Sequence, residues 1–320
     1  MHPQPLFTIG SLEIYAYGIC MAVGLLACFG FLLFTMWKKK FNEEASTKIL
    51  VIGVFATAFG IFMALLVQSI YNYIANPAEG FHLGGMTFLG GLIGGVVGFL
   101  TVYLLYIYII APHCDKVDLT ALENDKSGSS LVKTGRKIRI SLVKGLKNNM
   151  NATLTDAMPF IPIAICIAHA FGRLGCFFGG CCYGRVTDAW YGIACAAPNG
   201  YTLAEKVVPT QLFEMIFLLV LAGVMALLYF KFKLNYNFGV YAVGYGIWRF
   251  IIEFFRDDDR GGVVGAALTP SQILSIVMVV LGVAFFFLQY YVLSKHMKHP
   301  ELQQEEIKAE APAESAQGEI

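Results

Sequence analysis

Charge is scarce in this sequence. Only 14% of its 320 residues are Asp, Glu, Lys or Arg, where a soluble globular domain carries roughly 25%. So little charge cannot cover a water-facing surface, which excludes a soluble enzyme. Neither sign of charge predominates. The 23 Lys+Arg stand against 22 Asp+Glu, for a net charge of +1, which argues against a basic nucleic-acid binder. The sequence also lacks an internal repeat and a composition break that would mark a second folded domain. What it has is apolar side chain, at 57% of residues and a mean hydropathy of +0.63. That excludes disorder for most of the chain. The composition predicts an all-α polytopic membrane protein.

Seven apolar runs recur, at about 14–36, 49–75, 84–110, 157–179, 210–230, 237–255 and 268–293. Each approaches the ~20 residues that a bilayer-spanning helix needs. The loops between them are unequal in charge. Lys38, Lys39, Lys40 and Lys48 follow the first run, and eight basic residues from Lys116 to Lys147 follow the third. Lys231 and Lys233 follow the fifth, and Lys295, Lys298 and Lys308 the seventh. The other side receives only Arg185, Lys206, Arg256 and Arg260. Cytoplasmic loops carry the excess of Lys and Arg, so the N-terminus is expected outside and the C-terminus in the cytoplasm.

Met1 to Ile14 contains no Lys or Arg, and the run after it is long. The first helix is therefore expected to be retained, not cleaved as a signal peptide. Residues 1–298 are expected to form the membrane domain. The polar segment 299–320, rich in Glu, Ala and Gln, is expected to be a disordered cytoplasmic tail. The long basic loop 111–155 is read as an ordinary topology-setting inner loop. Residues 138–142 alternate in polarity, and the wider segment also fits an interfacial amphipathic helix that meets anionic lipid headgroups.

Eight cysteines are present. Cys20, Cys28 and Cys166 suit small apolar fillers, and Cys114 falls on the inner side. Cys176, Cys181, Cys182 and Cys195 cluster at or beyond the outer end of the fourth run. Their spacing matches neither a zinc ribbon nor a thioredoxin motif. Facing outward, they allow a disulfide. A catalytic thiol and a metal ligand remain alternatives.

The two remaining basic residues, Arg173 and Arg249, lie inside apolar segments, where ionisable groups are costly and mark function. His169 and Arg173 are four residues apart and share one helix face. Tyr245, Arg249, Glu253 and Arg256 form a polar stripe on the sixth segment, where Glu253 can pair with either arginine. A guanidinium presents a planar fork of donors that matches phosphate. The abundant phosphate in a membrane is the lipid headgroup, so two such arginines predict a headgroup pocket. Seven glycines fall within residues 84–98 and read as tight helix packing. Glu214 follows Pro209-Thr210-Gln211 at the start of the fifth segment and suits a helix dipole. Pro270 falls in the first turn of the seventh.

Several of these stretches, in this order, resemble one family. They are Tyr15-Ala-Tyr17-Gly18, Thr87-Phe88-Leu89-Gly90-Gly91, Gly172-Arg173-Leu174-Gly175 through Gly184-Arg185, Pro209 to Glu214, Gly246 to Glu253, and Leu268-Thr269 with Gln272. Together they are similar to the prolipoprotein diacylglyceryl transferases. The resemblance implies a multi-pass enzyme of the bacterial inner membrane. It would move the diacylglyceryl group of phosphatidylglycerol to the lipobox cysteine of prolipoprotein signal peptides, the first step of lipoprotein maturation. Arg173, Arg249, Tyr17, Gly184 and Tyr245 would serve the lipid phosphate site, with Glu253 orienting Arg249. The implied partners are those two substrates and membrane lipids, with no nucleic acid, and no metal or organic cofactor is implied.

The chain departs from the family pattern at three positions. Leu89 stands where the pattern commonly has histidine, Cys176 where it has asparagine, and Cys181 where it has glutamate. Deprotonation of the acceptor thiol then falls to His169, to the arginines lowering the thiol's pKa, or to a covalent route through Cys181 or Cys182. A relative acting on another lipid or acceptor, and a non-catalytic lipid-binding protein, are the alternatives that these departures support.

Overall fold

The computed structural model describes residues 5–10, 12–82, 88–124, 130–147, 154–196, 202–256 and 268–293. Among these, seven helices are long and apolar enough to cross a membrane. The chain is an all-α multi-pass membrane protein. Segment 299–320 lies outside the described residues. The chain divides into two compact units, one of residues 1–40 and 153–320, the other of residues 41–152.

The first unit opens with a short antiparallel hairpin, β1 (Phe7–Ile9) and β2 (Leu12–Ile14), which leads into helix α1 (Ala16–Lys38). The second unit holds α2 (Glu43–Ala75), α3 (Phe88–Leu105) and α4 (Ser130–Leu146). Asn42 caps α2 by accepting from the Ala45 amide at 2.8 Å. Helices α2 and α3 pack through glycine. A Cβ at Gly60 would meet the Gly91 carbonyl at 3.0 Å and the Gly95 Cα at 3.2 Å, while Gly94 lies under Met63 and Gly98 under Phe59. This close approach is what the glycine-rich stretch supplies, because dispersion between bare backbones replaces side-chain contact. Gly84 and Gly85 lie outside the described residues.

A five-residue wider-period segment, Tyr106–Ile110, follows α3 and leads into a short helix at Ala111–Asp115, so the helical path runs on past the apolar run. In the basic loop, the wider segment folds as a helix. Residues 138–142 sit in the middle of α4, and helical periodicity over the wider segment outweighs the short alternation. The Lys48 ammonium donates to the Lys147 carbonyl just beyond its end.

The first unit resumes with α5 (Ile161–Phe178), α6 (Thr210–Phe230), α7 (Asn237–Ile252) and α8 (Pro270–Leu288). A second hairpin, β3 (Ile193–Ala196) with β4 (Thr202–Val207), lies between α5 and α6. Helix α5 packs on α1 and α6, and α7 on α8, α6 and α5. Asn237, fully buried, donates to the Pro159 carbonyl at 2.8 Å and the Met225 carbonyl at 3.3 Å, tying the starts of α5 and α7 to α6. Phe217 and Trp248 stack at 4.4 Å between α6 and α7. Thr269 and Gln272 close a capping box at the start of α8.

Candidate active site

Alternating helix direction brings the end of α5, the start of α6, the end of α7 and the start of α8 to one end of the first unit. Arg173, Glu214, Tyr245, Arg249 and Glu253 gather there in two adjoining groups. Arg173 on α5 contacts Glu214 on α6 at 3.1 Å, and Glu214 is fully buried. Tyr245 on α7 donates to Glu214 at 2.7 Å and accepts from Arg173 at 3.2 Å. His169, one turn back on α5, meets the Tyr241 hydroxyl through Nδ1 at 3.0 Å and sets its ring edge-on to Tyr245.

A second pair sits beside this network. Arg249 contacts Glu253 at 2.7 Å, both at most a tenth exposed. Arg249 also donates to the Ser271 hydroxyl at 3.0 Å, and Thr269 donates to Glu253 at 2.9 Å. Of the two arginines that the stripe offers to Glu253, Arg249 takes the contact. The break from α7 into a tighter turn at Glu253–Phe255 places the carboxylate against the capped start of α8.

Glu214, Tyr241 and Ser271 are the members that sequence reasoning did not assign. Glu214 lies past the first turn of α6, buried, so its partner is a guanidinium and not the helix dipole. A lone acid in an apolar run was the available signal. Tyr241 and Ser271 carry no comparable mark, because hydroxyls are common in such helices.

The signature segment after α5 is held by its neighbours on both sides. The Gly184 amide donates to the Val208 carbonyl at 2.8 Å, and the Arg185 amide to the Phe255 carbonyl at 3.0 Å. A Cβ at Gly184 would collide with the Phe255 carbonyl oxygen and stand 2.9 Å from both Thr210 and Val208. Overpacking of this kind costs roughly 1–3 kcal/mol, and a backbone carbonyl yields less than a side chain. Gly184→Ala is therefore expected to lower the thermal midpoint in detergent. Gly223→Ala, with open space at its Cβ position, should leave the midpoint in place.

Upstream, Gly180 and Cys182 take left-handed φ values of 67° and 64°. That conformation is uncommon for a residue with a side chain. It turns Cys181 and Cys182 back onto the end of α5. The Gln211 amide donates to the Cys181 carbonyl at 2.6 Å and the Thr210 hydroxyl to the Cys182 carbonyl at 2.8 Å. The three sulfurs of Cys176, Cys181 and Cys182 all lie within 4.8 Å of one another. Hydrogen bonds with Cys176 and Cys181, and the Arg256 guanidinium, hold the Cys182 thiol well below the ordinary range despite its burial. The Cys195 side chain lies outside the described residues. Tyr17 on α1 packs its ring on Gly175, 3.1 Å from where a Cβ would stand. Its hydroxyl shares its surroundings with Arg173 and the three thiols. Leu89 belongs to the second unit, and its side chain lies outside the described residues.

A sequence model of one family, prolipoprotein diacylglyceryl transferase, matches residues 4–121 and 139–288. The chain belongs to this family. The match passes over residues 122–138, inside the long basic loop, and covers every site residue named above. Among curated relatives, the phosphatidylglycerol–prolipoprotein diacylglyceryl transferase of Clostridium tetani is 28% identical over 289 residues, 88% of this chain and 95% of the relative. The protein of the same name from Dehalococcoides mccartyi is 28% identical over 290 residues, 88% and 91% of the two chains. That from Rickettsia africae is 28% identical over 291 residues, 87% and 93%. No solved structure matches. Family membership makes the buried arginine network the candidate active site of a transferase.

Proposed function

We propose that this chain transfers the diacylglyceryl group of phosphatidylglycerol to the lipobox cysteine thiol of prolipoproteins. It would do so in the bacterial cytoplasmic membrane, with its N-terminus outside and its C-terminus in the cytoplasm. One observation carries the reading: two guanidiniums largely withdrawn from solvent, each paired with its own carboxylate, converge at one end of the helices.

A phosphodiester carries one negative charge before reaction, and its leaving group, glycerol phosphate, carries two once the carbon–oxygen bond has broken. Arginines preset by carboxylates stabilise that developing charge without reorganising. Glu214 and Tyr245 position Arg173, while Glu253 and Ser271 position Arg249. Tyr17 lines the same end and bounds the lipid site. Leu89, Cys176 and Cys181 favour a second reading, a relative that uses another acceptor.

The test is direct. Purified protein is supplied with phosphatidylglycerol and a lipobox peptide, and the peptide is weighed by mass spectrometry. A diacylglyceryl mass on cysteine is expected. A folded protein that gives none would reject the reading.

A further inference from the structure

We propose that Cys176, Cys181 and Cys182 form a three-thiolate site for a zinc-class cation whose open fourth position takes the acceptor thiol. This inference rests on the thiol-acceptor reading above and names how that thiol is ionised.

The geometry is close to what a metal needs. Zinc at ~2.3 Å from each of three sulfurs, in tetrahedral array, sets them roughly 3.8 Å apart. The three thiols already lie within 4.8 Å of one another, so small side-chain rotations close the set. The backbone is preorganised for it. The left-handed Cys182 is pinned through the carbonyls of Cys181 and Cys182 by Gln211 and Thr210. Backbone held in a sparsely populated region persists where its surroundings over-determine it, often at functional sites.

The ligand type and its location both fit. Three thiolates with an open fourth position are the donor set of a catalytic zinc site, whereas structural zinc is closed by four protein ligands. Three thiolates on a divalent cation leave one net negative charge. Arg256 lies beside Cys182, and Arg173 lies within electrostatic reach of Cys176 and Cys182. The cluster therefore adjoins the arginine that would hold the lipid phosphate, where an acceptor sulfur must arrive. The cysteines also occupy signature positions in a chain that has Leu89 at the position of a candidate base.

The step balances. The acceptor thiol binds the cation as thiolate and releases its proton to solvent. The sulfur then forms the carbon–sulfur bond as the glyceryl carbon–oxygen bond breaks, and glycerol phosphate departs with that electron pair. No oxidation state changes. A free thiol with pKa ≈ 8.5 is only a few per cent thiolate at about pH 7. Full ionisation raises the thiolate fraction about 30-fold, and the lower nucleophilicity of the more acidic sulfur returns part of it, leaving a gain of roughly five- to tenfold.

The experiment uses the reduced full-length protein in detergent, loaded with Co(II) or Zn(II). One equivalent should bind, with a sulfur-to-cobalt charge-transfer band and the intense visible bands of tetrahedral Co(II). Cys176→Ser, Cys181→Ser and Cys182→Ser should each weaken binding beyond the roughly 10–100-fold typical of losing an outer-shell partner. A lipobox peptide should shift the visible bands, and its cysteine-to-serine analogue should not. Metal-stripped protein should transfer roughly five- to tenfold more slowly near pH 7, regain its rate with Zn(II), and show a smaller deficit near pH 9.5, where the acceptor ionises unaided.

Failure to bind either metal would overturn the inference. So would an unshifted spectrum with peptide, a full rate without metal, or full turnover with two of the thiols disulfide-bonded. Arg249→Ala should keep the spectrum and its peptide shift while losing product. A peptide-responsive metal site in a folded protein that makes no product from phosphatidylglycerol would support the thiol site and reject the lipid donor, so the two readings fail separately.

Discussion

Replacing Arg249 by alanine is expected to cut diacylglyceryl transfer by about 100- to 1,000-fold, the usual loss when one preset donor to a developing anion is removed. Arg249 is buried, touches Glu253 at 2.7 Å and Ser271 at 3.0 Å, and has α8 against it. Its position does not depend on substrate, so its charge is in place when the leaving phosphate forms. Alanine would also strand the Glu253 carboxylate, and the loss of rate could then reflect loss of fold. Arg249→Lys separates the two effects. Lysine keeps the charge for Glu253 but lacks the planar fork that grips two phosphate oxygens. The lysine variant should melt close to the parent in detergent and still lose most of its transfer. A lysine variant with parental turnover would remove Arg249 from phosphate recognition.

Breaking the Arg173–Glu214 pair should have the largest effect on stability. Glu214→Gln removes the charge but keeps the shape, leaving Arg173 buried against a neutral amide. Removing one partner of a buried ion pair typically costs about 3–5 kcal/mol, because the other charge stays desolvated and uncompensated. Arg173→Met should cost a similar amount by stranding Glu214. The double variant Arg173→Met/Glu214→Leu should recover most of the loss, since well-packed apolar side chains of similar volume replace such pairs at little cost. Tyr245 would keep part of the deficit, because its hydroxyl loses both partners. Thermal melting of the parent, Arg173→Met, Glu214→Leu and the double variant in one detergent measures this cycle. Additive single-variant losses in the double would mean that the pair is not coupled. Recovered stability without recovered transfer would show that the pair is retained for chemistry and not for the fold.

The sequence alone determined the compartment and the class. Side chains that cannot be hydrated must be buried or put in lipid, so a chain with 57% apolar residues and 14% charged ones states its solvent. The seven apolar runs correspond to the seven long helices, because span length is set by bilayer thickness and not by packing. The motif residues Arg173, Arg249 and Glu253 were legible for a related reason. An ionisable group inside such a run stands out, and the Arg249–Glu253 spacing of four residues already places both groups on one helix face. Glu214 was visible only as an acid near a helix start. That it is the buried partner of Arg173 depends on α5, α6 and α7 packing side by side, across sequence separations that no local pattern encodes. The three thiols were read from spacing, and the spacing matched neither a zinc ribbon nor a thioredoxin motif. Their convergence is decided by two left-handed residues and by carbonyl contacts from α6, which bend the chain back on the end of α5. Solvent preference is a property of each residue and sums along the chain, whereas a site depends on which distant residues the fold brings within hydrogen-bond reach.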